Sequence, residues 1–430
     1  VSKSLRQLWL FQHLRPQRQA FVKLHRCIGL AIAGFLVVCG LTGALLAWNE
    51  PLDALINPGL FHVTPPSPDA PPLDPLALRA RIASQYPQAQ IRSVPLNITS
   101  GRSIVFYLVG AVDPSTSKPA TLLNNQIFVD PYSGKILGER YWGDLTQGKK
   151  NLMPFVFRLH YTLALWPGAI YIFGIVALLW TIDCFIGAYL TFPASGRRPT
   201  HTQARPGKNK KKWLARWWPA WTVRWGGGSY KINFDLHRAS GLWLWLILLV
   251  FAWSAVSFTL PQIYNPVMRT IFAHQPGVKA LDHRLITPAQ PLIGWEQARE
   301  IGRRLMATQA AALGFTVRHE TELDYDPGKA TYRYAVHSSR DAHARHGQTS
   351  LYLDANTGAL RGMWIPTGAS SGDTITTWLT SIHTAALGGW LFRLFISTGG
   401  LAVAILSITG VAVWRRKRGA LLRGKRHAHE

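Results

Sequence analysis

Charged residues vanish from four long stretches of the chain. Residues 28–48, 159–182 and 239–260 contain no Asp, Glu, Lys or Arg, and 374–414 is interrupted only by Arg393. Each stretch is at least as long as the roughly 20 residues a helix needs to cross a bilayer core. The pattern predicts an integral membrane, α-helical protein with four transmembrane helices, at 21–48, 156–192, 233–260 and 378–414. The basic segment 1–20 carries Leu5, Leu8, Trp9, Leu10 and Phe11, and is expected to lie along the membrane surface.

Two of the intervening loops, 49–155 and 261–377, alternate apolar and polar positions between turn residues. After a Pro-rich linker at 64–75, the first is predicted to hold a helix at 75–86 and strands at 102–110, 126–129 and 135–138. The second repeats the order, with a helix at 294–312 and strands at 330–338, 350–353 and 359–363. The turns correspond too: Asp130-Pro131-Tyr132-Ser133-Gly134 in one, Asp354-Ala355-Asn356-Thr357-Gly358 in the other. The chain reads as two tandem repeats, each a helix, an external α+β module and a second helix.

The repeat extends to the residues that carry chemistry. Leu24-His25-Arg26-Cys27-Ile28-Gly29-Leu30 is answered by Leu236-His237-Arg238-Ala239-Ser240-Gly241-Leu242. His160-Tyr161-Thr162-Leu163-Ala164-Leu165 is answered by His383-Thr384-Ala385-Ala386-Leu387-Gly388. One histidine thus stands near the start of each apolar run, where an ionisable group is costly and commonly functional.

The formal charge of +26 suggests nucleic acid until it is divided along the chain. Residues 1–24 carry five Lys or Arg and no acid, 193–232 ten and no acid, and 415–430 seven against Glu430. Loop 49–155 has nine bases against eight acids, and loop 261–377 twelve against ten. The positive-inside rule places the three basic segments, and both termini, in the cytoplasm and the balanced loops on the far side. Membrane lipid accounts for the basicity, so no nucleic-acid partner is expected. The inner loop adds Trp213, Trp217, Trp218, Trp221 and Trp225, which read as an interfacial anchor or a donor-docking patch. No small-x-small cleavage site follows the first run cleanly, so it is read as a helix that stays. Cys27, Cys39 and Cys184 form no CxxC or CxxCH, so any haem would be held non-covalently.

In this topology His25 and His237 share the cytoplasmic end, and His160 and His383 the external end. A lone histidine at a helix end is ordinarily an interfacial group. Two pairs in register suit axial ligation of two haems, with Arg26 and Arg238 as partners for propionates and Gly29 and Gly241 leaving room for a macrocycle. Zinc or copper lacks a third and fourth ligand. The run from His160 to Phe192, and that from His383 to Trp414, would each span on the order of 47 Å as one helix against a core of about 30 Å. The outer pair is therefore expected at or beyond the boundary, unless Trp166-Pro167-Gly168 kinks the second helix. His337, His343 and His346 with Arg340 and Arg345 read as a solvated loop, or as a place to hold released iron.

With its histidine-led helices and two D-x-x-[ST]-G turns, the chain resembles the PepSY-associated transmembrane family over nearly its whole length, and within it the siderophore reductases. The resemblance implies a bacterial inner-membrane, multi-pass protein with periplasmic PepSY-like modules and two b-type haems. It implies reduction of a periplasmic ferric siderophore, a hydroxamate such as ferrioxamine, with release of Fe(II) during iron uptake. Some relatives carry a C-terminal flavin reductase domain; none is expected in the segment after the fourth run, which leaves a quinol or a cytoplasmic reductase as donor. The alternative is a haem-free anchor whose modules bind or inhibit a periplasmic peptidase. A permease is disfavoured because the helices offer no polar mid-membrane path.

Overall fold

A computed structural model describes residues 2–113, 115–116, 118–193, 212–276, 291–344 and 347–426. Arg197, Arg198, Arg205, Lys208, Lys210 and Lys211 of the basic loop, Arg345, His346 and Glu430 lie outside the described residues. So do the side chains of Leu5, Leu8, Trp9, Leu10 and Phe11. The helices of eight or more residues begin with α1 (Ser2–Leu46), α2 (Asn49–Ile56), α3 (Pro75–Gln85), α4 (Leu152–Thr162), α5 (Ile170–Thr191) and α6 (Ser229–Trp243). They continue with α7 (Trp245–Thr259), α8 (Pro261–Ile271), α9 (Trp295–Leu313), α10 (Ser371–His383) and α11 (Trp390–Arg426).

The chain divides into two compact units. The first is built from the described residues of Val1–Ala44, Leu159–Tyr264 and Leu394–Glu430. Three helices are long and apolar enough to cross a membrane, Arg18–Leu46, Pro167–Thr191 and Trp390–Ala420, and α6 with α7 makes a fourth if the bent pair is one span. Helical backbone satisfies its own hydrogen bonds, which lipid cannot do for it. Glycines set the closest approach: a Cβ on Gly40 would stand 2.5 Å from the Gly400 carbonyl oxygen, and one on Gly400 2.7 Å from that of Gly40. The backbones of α1 and α11 therefore touch there, in the manner of small-residue membrane packing.

All four expected membrane helices differ from their predicted form. The surface segment and first transmembrane helix are one continuous helix, α1. The third helix bends by 69° at Leu244. A Ser240-Gly241 pair precedes the bend, and the flanking indoles are drawn to different partners, Trp243 to the Trp221 carbonyl at 3.1 Å and Trp245 to that of Cys184 at 2.9 Å. The second and fourth helices are each broken just after their histidine. Leu163 (φ 52°), Ala164 (φ 55°) and Ala385 (φ 55°) are left-handed, as are Gly388 and Gly389, and a right-handed helix cannot continue through them. Pro167 then opens the short turn Pro167–Ala169 that leads into α5. The long uninterrupted helices expected from His160 and His383 are therefore absent.

The second unit comprises Leu45–Arg158 and Asn265–Arg393. Its strands are β1 (Ala89–Ile91), β2 (Ser93–Pro95), β3 (Ile104–Gly110), β4 (Gln126–Val129) and β5 (Ile136–Arg140). They are followed by β6 (Val317–Asp326), β7 (Thr331–Ser338), β8 (Thr349–Asp354) and β9 (Leu360–Trp364). Two antiparallel sheets result, ordered β1-β3-β4-β5 and β2-β6-β7-β8-β9. The expected modules are thus interlocked: β2 leaves the first loop's sheet and pairs Val94 with Leu323 of β6. One apolar core joins Leu78, Ile82 and Phe106 to Met306, Tyr334 and Leu351. Both predicted turns form, with Gly134 and Gly358 at φ 70° and 73°, where glycine alone is unstrained.

Candidate functional site

His25 on α1 and His237 on α6 face one another, their ring centroids 6.3 Å apart and their planes at 51°. The Nδ1 of His25 is 2.9 Å from Asp183 Oδ1 of α5. The Nδ1 of His237 is 3.1 Å from the Leu406 carbonyl and 3.2 Å from Thr409 Oγ1, both on α11. A carbonyl only accepts, so His237 carries its proton on Nδ1, and a carboxylate imposes the same on His25. In the neutral form of each ring this leaves the lone pair on Nε2, the arrangement usual in metal-bound histidine.

His160, in the last turn of α4, repeats the device. Thr42 gives its one hydroxyl proton to the Val38 carbonyl at 2.6 Å, so its oxygen accepts from His160 Nδ1 at 2.9 Å. Each of these three rings also meets a glycine of another helix. An added Cβ would lie 3.6 Å from His25 Cε1 at Gly187, 3.0 Å from His237 Cε1 at Gly410 and 3.1 Å from His160 Cε1 at Gly43.

The expected outer pair is divided between the units: His160 belongs to the first, His383 to the second. The helix that ends in His383 is fastened at its other end. Asp373 in the first turn of α10 accepts from Gln275 N–H at 2.8 Å, Ser370 Oγ at 2.5 Å and His274 Nδ1 at 2.7 Å. Burial opposes its ionisation, but these donors prevail and hold the carboxyl below the usual carboxylate range.

Of the two arginines, Arg26 is exposed. Arg238 is committed elsewhere, to Asp235 Oδ1 at 2.9 Å and the Pro219 carbonyl at 2.6 Å. Asp235 is fully buried and also takes two hydrogen bonds from the Arg224 guanidinium, at 2.6 and 2.8 Å, and one from its backbone N–H at 3.3 Å. Two further cations, Arg415 and Arg416, border a groove of about 480 Å³ between α1 and α11 lined by Ala33, Gly34, Ile408 and Val411. His337 is not on a solvated loop: it is buried, stacks on His319 at 5.2 Å and meets the His343 carbonyl through Nε2 at 2.9 Å.

Sequence reasoning missed Asp183. It follows Ile182 directly, at the end of the second uncharged run, and an acid amid apolar residues of a membrane helix is itself a signal.

The 6.3 Å between the centroids is close to the separation of two imidazoles that hold one metal between them. Two metal–nitrogen bonds of about 2 Å, each with about 1.1 Å from nitrogen to ring centre, set the centroids about 6 Å apart. Among the described residues no group of three or more His, Cys, Asp or Glu suits a metal ion. Two protein ligands do suffice for a macrocycle that brings four nitrogens of its own. The sequence model of the family described as PepSY-associated TM region matches residues 22–417. No curated protein matches the chain.

Proposed function

The chain belongs to the PepSY-associated TM region family, and on that premise we propose that it is a di-haem membrane oxidoreductase that reduces a ferric siderophore. The observation that carries the reading is the 6.3 Å separation of His25 and His237, with both Nδ1 atoms engaged by other helices. Haem, when bound, supplies reversible one-electron chemistry at iron. His25 and His237 hold the inner group, and Asp183, the Leu406 carbonyl and Thr409 orient their rings. His160, oriented by Thr42, is assigned to a second group, for which the repeated sequence motif alone makes His383 the expected partner.

The halves are proposed as tandem repeats, since Asp183/Leu406 and Gly187/Gly410 keep the sequence spacing of His160/His383. The basic segments lie in the cytoplasm of a bacterial inner membrane and the two-sheet unit in the periplasm. The net reaction moves electrons one at a time from a quinol or a cytoplasmic reductase to Fe(III) in a periplasmic chelate, a hydroxamate such as ferrioxamine; a quinol reduces two Fe(III) and leaves a quinone and two protons. Hard oxygen ligands hold Fe(II) far less well than Fe(III), so the metal is released. The choice of acceptor rests on the family resemblance.

Protein purified from haem-supplied cells should show a Soret band and reduced α-bands, and ferric hydroxamates should reoxidise it anaerobically. His383→Ala should remove one haem and abolish that reoxidation while the inner haem remains. A colourless wild-type protein would sink this reading and favour the peptidase-binding anchor.

A further inference from the structure

The two inner imidazoles are held by unlike groups. His25 gives its Nδ1 proton to a carboxylate, Asp183, at 2.9 Å, whereas His237 gives its proton to a backbone carbonyl, Leu406, at 3.1 Å. The two acceptors occupy corresponding places, Asp183 following His160 by as many residues as Leu406 follows His383. A site that is symmetric in its histidines is therefore asymmetric one bond further out.

Asp183 is 8% exposed on an apolar helix, where a carboxylate is expensive to keep. Among the described residues its carboxylate is hydrogen-bonded to His25, so its charge acts on that ring. A carboxylate on Nδ1–H draws the proton away from the ring and leaves Nε2 more electron-donating than a neutral carbonyl does. A more donating axial ligand favours the higher oxidation state of iron.

We propose that Asp183 is the positioning residue of the inner site: it fixes His25 in the tautomer that presents Nε2 and holds the inner haem at a lower potential than two carbonyl-bonded imidazoles would. The inference rests on the haem reading above. Its consequence is at the inner site, where a lower potential makes the reduced group the stronger electron donor.

The test is an anaerobic redox titration of the full chain in detergent, followed at the α-bands, beside a haem count. Asp183→Asn should retain two haems and raise one midpoint potential while the other stays. Asp183→Glu should stay near wild type, and Thr409→Val should shift the potential less than Asp183→Asn, because the Leu406 carbonyl remains. Loss of one haem in Asp183→Asn that Asp183→Glu restores also supports the role. Two retained haems with unchanged midpoints, equal shifts in both, or haem loss that Glu fails to restore would overturn it. Wild-type protein without haem overturns the underlying reading before any variant is made, so the two failures are told apart.

Discussion

The Cε1 atom of His237 stands 3.0 Å from where a side chain on Gly410 would begin. That is closer than carbon atoms ordinarily pack, so the imidazole can keep its place only while residue 410 has no Cβ. The corresponding distance from Gly187 to His25 is 3.6 Å, an ordinary contact. Gly410→Ala should therefore displace its ring by a few tenths of an ångström and disturb the inner haem spectrum more than Gly187→Ala does. Reduced-minus-oxidised spectra of the two variants check the ranking, and equal effects would count against the cradle.

A buried ion pair ties α2 to the sheet of the first loop. Arg140 donates to both oxygens of Asp53, at 3.1 and 2.8 Å, and also to Gln126 Oε1 and the Lys150 carbonyl, each at 2.6 Å. Asp53 and Arg140 are 5% and 4% exposed. Removing one partner strands the other charge, so Asp53→Ala should cost about 3–5 kcal/mol. Asp53→Leu with Arg140→Met should recover part of that loss, because no charge then remains buried. Thermal unfolding of the three proteins in one detergent decides it, and a double variant no better than Asp53→Ala would contradict the argument.

Asp354 gives the unit an acid-sensitive contact. Burial opposes its ionisation, but the Arg361 guanidinium and the N–H groups of Asn356 and Thr357 outweigh it and bring the carboxyl from its ordinary 3.8 to about 2. A folded value below the unfolded one means that folding favours the ionised form. The contribution is complete above a pH of about 4 and lost as pH falls toward about 2. The stability gap between wild type and Asp354→Asn should be level at neutral pH and close over that acid range. A gap that does not change with pH would show that the charge contributes nothing.

The parts that the sequence discloses are those where one local rule dominates. Lipid demands apolar side chains, so the spans appear as runs without charge, and Asp with Gly marks each tight turn because their backbone chemistry is local. The histidine pair is visible because its motif is written twice. The exchange of β2 is not visible: Ser93-Val94-Pro95 is too short to show a period, and Ser93 meets Glu322 at a separation of 229 residues. The breaks after His160 and His383 are only partly visible, through Pro167-Gly168 and Gly388-Gly389. Leu163, Ala164 and Ala385 take left-handed conformations that glycine would have announced. Glycines at 43, 187 and 410 are ambiguous in sequence, since a membrane helix uses them equally for a neighbour's backbone and for a ring.

Those breaks carry the last prediction. Ala164 and Ala385, at φ 55° each, pay a left-handed cost of about 1–2 kcal/mol that glycine avoids, offset by about 0.5–1 kcal/mol of extra chain entropy. Ala164→Gly and Ala385→Gly should thus be neutral or stabilise by up to about 1.5 kcal/mol. Ala164→Val and Ala385→Val should destabilise more than an unbranched apolar exchange there, because a β-branched side chain fits the left-handed region worst. The breaks follow His160 and His383 by only a few residues, and they let α4 and α10 end where their histidines are. The valine variants should therefore lose the outer haem signal before the inner one. Melting curves and haem counts on all four variants test this together, and valine tolerated as well as glycine would mean that the breaks are not held in the left-handed form.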